Sequence, residues 1–307
     1  MIRCPVNGNV LEELLNDVNS VASLIDVTGK NVYQKISGKP VLVNFENSIL
    51  DKNDLLSSHA QSVISRGKSD NIMAKARGMF SRTSPACQSN TRILLDYAFG
   101  LGRRPLVLLI GGGTVGNGMQ EFYDSPHIDL VSFDIYDSPN VQIIADAHDL
   151  PFAENTFDIV IIQAVLEHVL DPKRVVSQIH KVLRPSGWVY AETPFMQQVH
   201  EGAFDFTRFS ERGHRYLFKN FENCASGATS GAGTSLLWAL EHFFRSLFRS
   251  ILVGKLVRMS CFWLQYVDDL LDKPSAEDAA CAVYFLGKKS SNTLQPRSLI
   301  EGYSGGQ

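Results

Sequence analysis

The chain has 307 residues, 44% hydrophobic and 20% charged, which supports a packed core and excludes a disordered or collagen-like chain. A formal net charge of -3 gives no overall electrostatic attraction to nucleic acid. The five cysteines (Cys4, Cys87, Cys224, Cys261 and Cys281) form no C-x-x-C pair, which speaks against a disulfide framework and a four-cysteine zinc site.

Taken in order, residues 1–50 read as a small separate unit, with a strand over 41–45 after the Gly38-Lys39-Pro40 turn. Its first residues lack a basic segment followed by an apolar run, and no uncharged apolar run reaches the length of a membrane span. A cytoplasmic protein without a transmembrane segment is therefore expected. Residues 51–85 are polar and read as a linker with one or two short helices. Leu94, Leu95, Tyr97 and Ala98 suggest a helix behind a Ser89/Asn90 cap. From residue 106, short apolar runs alternate with turns and helical stretches. Strands are expected at 106–110, 128–133, 141–145, 157–162, 188–191 and 282–286. A helix over 172–183 is stopped by Arg184-Pro185-Ser186-Gly187. Such a pattern predicts an α/β domain over 86–290, built on a doubly wound, mostly parallel sheet. The N-terminal unit is a small β-rich appendage to it. Residues 236–272 are a helical insertion before the last strand, in which Gly254 breaks the helical run, and 291–307 a flexible tail.

The strongest chemical signal is Leu106 to Gly118, where a buried strand runs into Gly111, Gly112, Gly113, Gly116 and Gly118. In a doubly wound sheet this turn lies at the carboxyl edge, where ligands bind. Gly111, Gly113 and Gly116 satisfy G-x-G-x-x-G, and Asp134 closes the next strand where an acid grips ribose hydroxyls. At this point a nicotinamide dinucleotide and another adenosine cofactor fit equally well.

Further along come Asp146-Ala147-His148-Asp149-Leu150-Pro151-Phe152, then Phe157-Asp158-Ile159-Val160, Leu166-Glu167-His168 and Leu183-Arg184-Pro185-Ser186-Gly187. Together with the glycine turn and Asp134, this ordered set resembles the class I S-adenosylmethionine-dependent methyltransferases, over about residues 90–225. The resemblance implies a Rossmann-like fold and S-adenosyl-L-methionine as cofactor. It implies that Asp146 meets the adenine amino group and Ala147 lines the adenine pocket. Gln163 and Ala164 then face the methionine part. One departure is Leu109, where the family places an acid two residues before the first loop glycine. An oxidoreductase reading rests on the glycine pattern alone, and a non-catalytic scaffold reading on Leu109.

The stretch His200-Glu201-Gly202-Ala203-Phe204-Asp205-Phe206-Thr207-Arg208-Phe209-Ser210 is similar to one in methyltransferase-like proteins of polysaccharide and surface-glycan biosynthesis. An oxygen nucleophile needs a proton acceptor, and His200, Asp205 and His168 are the candidates. Arg208 is the candidate partner for an anionic group on a small-molecule or glycan acceptor. Residues 3–8 and 33–43 resemble a small zinc-ribbon unit, but with only Cys4 present no metal is expected. In 236–272, apolar residues recur at helical spacing among Arg245, Arg249, Lys255 and Arg258. The preferred reading is a helical cap over the substrate pocket. The alternatives are peripheral contact with anionic membrane and a homodimer face.

Overall fold

The computed structural model describes residues 1–15, 21–62 and 82–307. The part of the expected linker over 63–81 lies outside the described residues. Among the described residues eleven strands form one sheet in the order β1-β2-β3-β4-β7-β6-β5-β8-β9-β11-β10. The central strands are β5 (Leu106–Ile110), β6 (Asp129–Asp134), β7 (Ile143–Ala145), β8 (Phe157–Gln163) and β9 (Leu183–Pro194), all parallel. From β5 the chain moves outward to β6 and β7, then returns to the other side for β8 and β9. A final strand, β11 (Ala282–Lys289), enters antiparallel between β9 and β10 (Phe221–Ser230). This is the Rossmann-like class I methyltransferase fold.

Strand periodicity divides the core. Leu108 and Ile110 pack in one cluster with Val160, Ile162, Val189 and Ala191, and the intervening Val107 and Leu109 in another with Ile159, Ile161 and Tyr190. Because both faces are covered, each central strand reads as an unbroken apolar run. Helix α2 (Pro85–Gly100) closes the second face through Leu94, Leu95 and Ala98. Its cap is Ser84, whose hydroxyl accepts the Cys87 N–H, so the helix begins five residues before Ser89/Asn90 would have started it. Helix α4 (Pro172–Val182) buries Val175, Val176, Ile179 and Val182 on the first face. It follows the short α3 (Gln120–Asp124) in the chain.

Asp158 explains the aspartate of the Phe157-Asp158-Ile159-Val160 segment. It is buried, takes the Leu106 N–H at 2.9 Å, and pairs with Arg103 and Arg184. It therefore ties the start of β5 to β8. The chain from 183 to 188 bulges past it, with Ser186 at φ 61°, because Leu183 pairs with Phe157 and Trp188 with Ile159.

Several expectations shift. The N-terminal unit is not separate. Strands β1 (Leu11–Leu15), β2 (Val21–Asp26), β3 (Val32–Ile36) and β4 (Lys39–Leu42) extend the main sheet, with β4 parallel to β7. Residues 45–47 form a 3-10 turn rather than the end of a strand, and α1 (Lys52–Ser57) follows. Cys4 is buried with its Sγ 3.0 Å from the Tyr33 hydroxyl. Beside it the Asp26 carboxylate accepts from Asn7, Thr28, Lys30 and Asn31, which joins the turns at residues 4–8 and 26–31. Hydrogen bonds, first among them that of Asn31, hold the Asp26 carboxyl well below its ordinary range.

At the other end, α5 (Glu211–Leu217) and β10 carry polar faces and were not legible as elements. The insertion runs as α6 (Ala232–Leu247), α7 (Ile251–Ser260), α8 (Leu264–Val267) and α9 (Lys273–Asp278). Gly254 does not break it. It lies inside α7, where a Cβ would come 2.9 Å from Arg245 Cβ, and the break falls at residues 248–250. The tail holds a helix, α10 (Pro296–Glu301), and Leu299 accepts from Arg212. Among the described residues no helix is long and apolar enough to cross a membrane.

Two outcomes follow from this packing. Asp158→Ala strands the Leu106 N–H and two guanidinium groups, both partly exposed, and is expected to cost about 2 kcal/mol in urea unfolding. His214 is buried against Thr193, and burial pushes its imidazole down to about 3. The unfolded chain protonates it near its ordinary 6.5. The unfolded state thus binds the extra proton between those values, so stability is full above the upper one and is lost as pH falls toward the lower. His214→Gln lacks that component. The melting-temperature advantage of the wild type over the variant is expected to shrink on acidification from about pH 7 to about pH 4.5; a constant difference would contradict this burial.

Candidate active site

The glycine turn is fixed by what surrounds it. Gly111 sits at φ +76°, in the left-handed region that favours glycine, and a Cβ there would come 2.2 Å from Val165 Cγ2. The N–H groups of Gly111 and Gly112 both donate to the Phe133 carbonyl, at 3.0 Å each. The Gly113 N–H donates to Asp134 Oδ2 at 2.8 Å, and the Ile135 N–H to Oδ1 at 2.7 Å. Gly116 makes room for Gln163, whose Oε1 would lie 2.3 Å from a Cβ. Gly111, Gly113, Gly116, Asp134 and Gln163 thus come together at the carboxyl ends of β5, β6 and β8, at the switch in strand order.

Leu109, in the place of the missing acid, is buried in the apolar cluster under α2. A carboxylate does stand close by on another strand. Glu192, near the end of β9, receives the Tyr190 hydroxyl and has Cys87 and Gln163 as neighbours. Burial pushes its carboxyl up against the lowering effect of these groups. Gln163 Nε2 donates to the Asn117 carbonyl at 3.2 Å, and the Ala164 N–H to the Glu192 carbonyl at 3.0 Å. Glu192 is not among the residues singled out from the sequence, although it directly follows the strand expected at 188–191, on the same sheet edge as Gln163.

Asp146 and Ala147 are both buried. Asp146 Oδ1 accepts from the His148 N–H at 2.9 Å and from its Nδ1 at 2.6 Å, while Oδ2 accepts the Ser48 hydroxyl at 2.5 Å. His148 Nε2 in turn accepts the Asp171 N–H at 3.1 Å, which fixes its proton on Nδ1. Burial pushes the Asp146 carboxyl up, but these bonds outweigh it and the net shift is downward. The N-terminal unit therefore reaches the adenine end of the expected site through Ser48.

His168, His200, Asp205 and Arg208 are also brought together. The 3-10 turn Leu166–His168 follows β8, and the Glu167 carbonyl accepts the Phe206 and Thr207 N–H groups at 2.8 and 3.2 Å. The His168 and His200 rings meet edge to face, 5.2 Å apart, and Trp238 of α6 packs 6.2 Å from His200. Asp205 accepts from Arg208 and from the His200 N–H at 2.9 Å. Burial raises its carboxyl, yet Arg208 and the His200 N–H more than offset this and hold it at about 2. It stays ionised and poorly suited to take a proton. Arg208 also donates to the carbonyls of Gln197, Gln198 and Thr207. Its guanidinium is thus a clamp on the loop, where an open anion site had been expected. Burial lowers the His168 imidazole, leaving it neutral.

The residue missed here is Glu167. It is fully buried, and burial pushes its carboxyl up to about 8. The signal lies in the Leu166-Glu167-His168 segment, where this acid adjoins the candidate histidine.

With this geometry in place, comparison with known proteins is informative. The family described as a methyltransferase domain matches residues 125–191. The matched residues run from just before β6 into β9. It is 35% identical over 98 residues to the human "Arginine-hydroxylase NDUFAF5, mitochondrial", covering 32% of this chain and 27% of that protein. The mouse protein of that name is 51% identical over 51 residues, 17% of this chain and 15% of that one. A demethylmenaquinone methyltransferase of Symbiobacterium thermophilum is 29% identical over 123 residues, 39% of this chain and 45% of that one. The chain thus spans less than half the length of these relatives. Among solved structures, a Haemonchus contortus phosphoethanolamine N-methyltransferase 2 in complex with S-adenosyl-L-methionine aligns with TM-score 0.45 and 16% identity, over 82% of this chain and 62% of that one.

Proposed function

We propose that this chain is an S-adenosylmethionine-dependent methyltransferase acting on an oxygen of a small-molecule or glycan acceptor. The observation that carries this reading is the Gly111–Gly116 turn at the sheet's switch point, with Asp134 bonded to it through the Gly113 N–H. The residues present fit the cofactor. Asp134 suits the ribose hydroxyls. Gln163 and Glu192 suit the methionine end, where the Glu192 carboxylate serves the ammonium that an acid at position 109 would otherwise serve. Asp146 and Ala147 suit adenine once Ser48 gives way. S-adenosylmethionine supplies an electrophilic methyl group on a sulfonium sulfur. The chain's own part is to hold the acceptor oxygen in line and to receive its proton. His200 and His168 are placed to receive it, with Asp205 and Arg208 orienting His200. The five cysteines are all unpaired, which suits a reducing compartment such as the cytoplasm.

Calorimetry with S-adenosylmethionine tests the reading, with NADH as control. Binding is expected for the wild type and is expected to weaken tenfold or more in Asp134→Ala and in Glu192→Gln, without NADH binding. A folded wild type that binds NADH instead would support an oxidoreductase. One that binds neither would leave a scaffold, which the Ser48–Asp146 closure already favours as the second reading.

The insertion adds a surface to this function. Its base packs on the His200 loop through Trp238, as a cap would, but its tip does not pack down. Phe243, Leu247, Phe248, Ile251, Leu252 and Leu256 are exposed, Leu252 by 66%. Residues 236–260 carry Arg245, Arg249 and Lys255, and Arg258 pairs with their single acid, Glu241. Exposed apolar groups interspersed in sequence with unneutralised cations suit an anionic lipid surface, and we assign the tip to that partner. Vesicles of phosphatidylcholine with phosphatidylglycerol are expected to sediment the wild type, and Phe248→Ser/Leu252→Ser to abolish it. Absence of sedimentation, or a concentration-dependent dimer lost in the same double variant, would overturn the assignment.

A further inference from the structure

Glu167 presents a problem that the methyl-transfer reading does not solve. Its carboxylate is fully buried, and neither oxygen has a hydrogen-bond partner among the described residues. A carboxylate out of water without partners is costly, and native proteins avoid it. The groups facing it are two imidazoles. His168 Nε2 lies 3.6 Å and His200 Nε2 3.8 Å from Glu167 Oε1. These separations are too long for hydrogen bonds.

The other nitrogen of each ring shows why the Nε2 atoms point inward. His168 Nδ1 donates to the Phe204 carbonyl at 2.8 Å. His200 Nδ1 lies 3.4 Å from both Asp205 Oδ2 and the Gln198 carbonyl, each of them an acceptor. Both protons therefore sit on Nδ1, and both Nε2 lone pairs are turned toward the Glu167 carboxylate. Two imidazole lone pairs and the carboxyl oxygens aimed at a common point repel one another unless something positive lies between them, and a proton on Glu167 does not supply it, because at 3.6 and 3.8 Å neither Nε2 is within hydrogen-bond reach. The donor atoms all fall within 4.8 Å of one another. The nearby charges leave a surplus of acid, with Glu201 and Asp205 against Arg208.

We propose that Glu167, His168 and His200 bind a divalent first-row transition-metal ion. The donor set decides the class of ion. Imidazole favours zinc, iron, cobalt or nickel over magnesium and calcium, which prefer all-oxygen shells. Metal–ligand distances of about 2.0–2.2 Å put tetrahedral ligands about 3.4 Å apart, so the two Glu167–histidine separations of 3.6 and 3.8 Å need to close by only a few tenths of an ångström. The outer shell is already built. A histidine ligand donates its second nitrogen to a carbonyl or carboxylate, which is what the Phe204 carbonyl and Asp205 provide, with Arg208 fixing Asp205. The His200–Arg208 stretch is then the support of a metal centre. Three protein ligands leave positions open for water or an acceptor oxygen. The site does not depend on the methyl-transfer reading, since binding of the ion requires neither cofactor nor acceptor; with the ion bound both Nε2 lone pairs are taken, and an acceptor proton would pass to water instead of to His168 or His200.

The test uses tag-free full-length protein, stripped with chelator and titrated with Co(II) by visible absorption and with Zn(II) by calorimetry. One ion per chain is expected, with a Co(II) spectrum lacking thiolate charge-transfer bands, so that the cysteines are excluded as ligands. Glu167→Gln and His200→Gln are each expected to weaken binding at least a hundredfold. Asp205→Asn, which leaves all three ligands in place, is expected to weaken it by about ten- to a hundredfold. Circular dichroism and melting of the chelated proteins show whether each variant has folded, and His168→Gln provides a further ligand variant. A folded wild type that binds neither ion, or binding unchanged in the folded ligand variants, would overturn the proposal. Loss of S-adenosylmethionine binding with intact Co(II) binding would overturn methyl transfer alone.

Discussion

The Phe133 carbonyl holds the site together. It accepts the N–H groups of both Gly111 and Gly112, so the turn after β5 is bound to the end of β6 by one oxygen. Only a backbone without side chains can come this close, because Val165 and Tyr136 occupy the space that Cβ atoms at Gly111 and Gly113 would need. From that contact the Gly113 N–H reaches Asp134, and Gln163 settles against Gly116. The polar groups of four neighbouring strands are thereby gathered at one edge. Among the polar side chains buried in these strands, Asp158 holds the opposite end of β5.

The second organising group is the loop from His200 to Arg208. It has little regular structure, and it is ordered instead by ionic and backbone bonds. Asp205 is the hub, since Arg208 and the His200 N–H converge on it, and the Phe206 and Thr207 N–H groups bind the Glu167 carbonyl. Two segments distant in sequence are thus locked together, and the rings of His168 and His200 meet as a result. Rigid support of this kind is what a reactive or ligating histidine requires, because an imidazole free to turn would present either nitrogen.

Much of this was legible in the residues. The parallel strands announced themselves as apolar runs, and the glycines, Asp134 and Gln163 fell where a doubly wound sheet puts its ligand edge. What failed had physical causes. β10 and α5 were unreadable because edge elements half in water carry polar residues without a clear period. The α2 start was misplaced because Pro85 at the first helical position, behind Ser84, is a stronger signal than the Ser89/Asn90 pair. Arg208 and Asp205 were read as groups that meet a substrate, whereas their bonds are to each other and to the backbone. Glu167 and Glu192 were missed because burial decides their chemistry, and burial depends on chain segments far away in sequence.

The join between β4 and β7 has a consequence for how the chain is made. Val41 and Leu42 pair with Ile144 and Ala145, about a hundred residues later. A ribosome releases the first strands long before their partner exists, so β4 must wait with an unpaired edge while the glycine turn and β6 are synthesised. Contacts of such long range close slowly and leave strand edges open to the wrong neighbour. These N-terminal strands are therefore translated well before their partner and are among the last to be secured, so a chaperone that shields nascent strand edges has much to protect there.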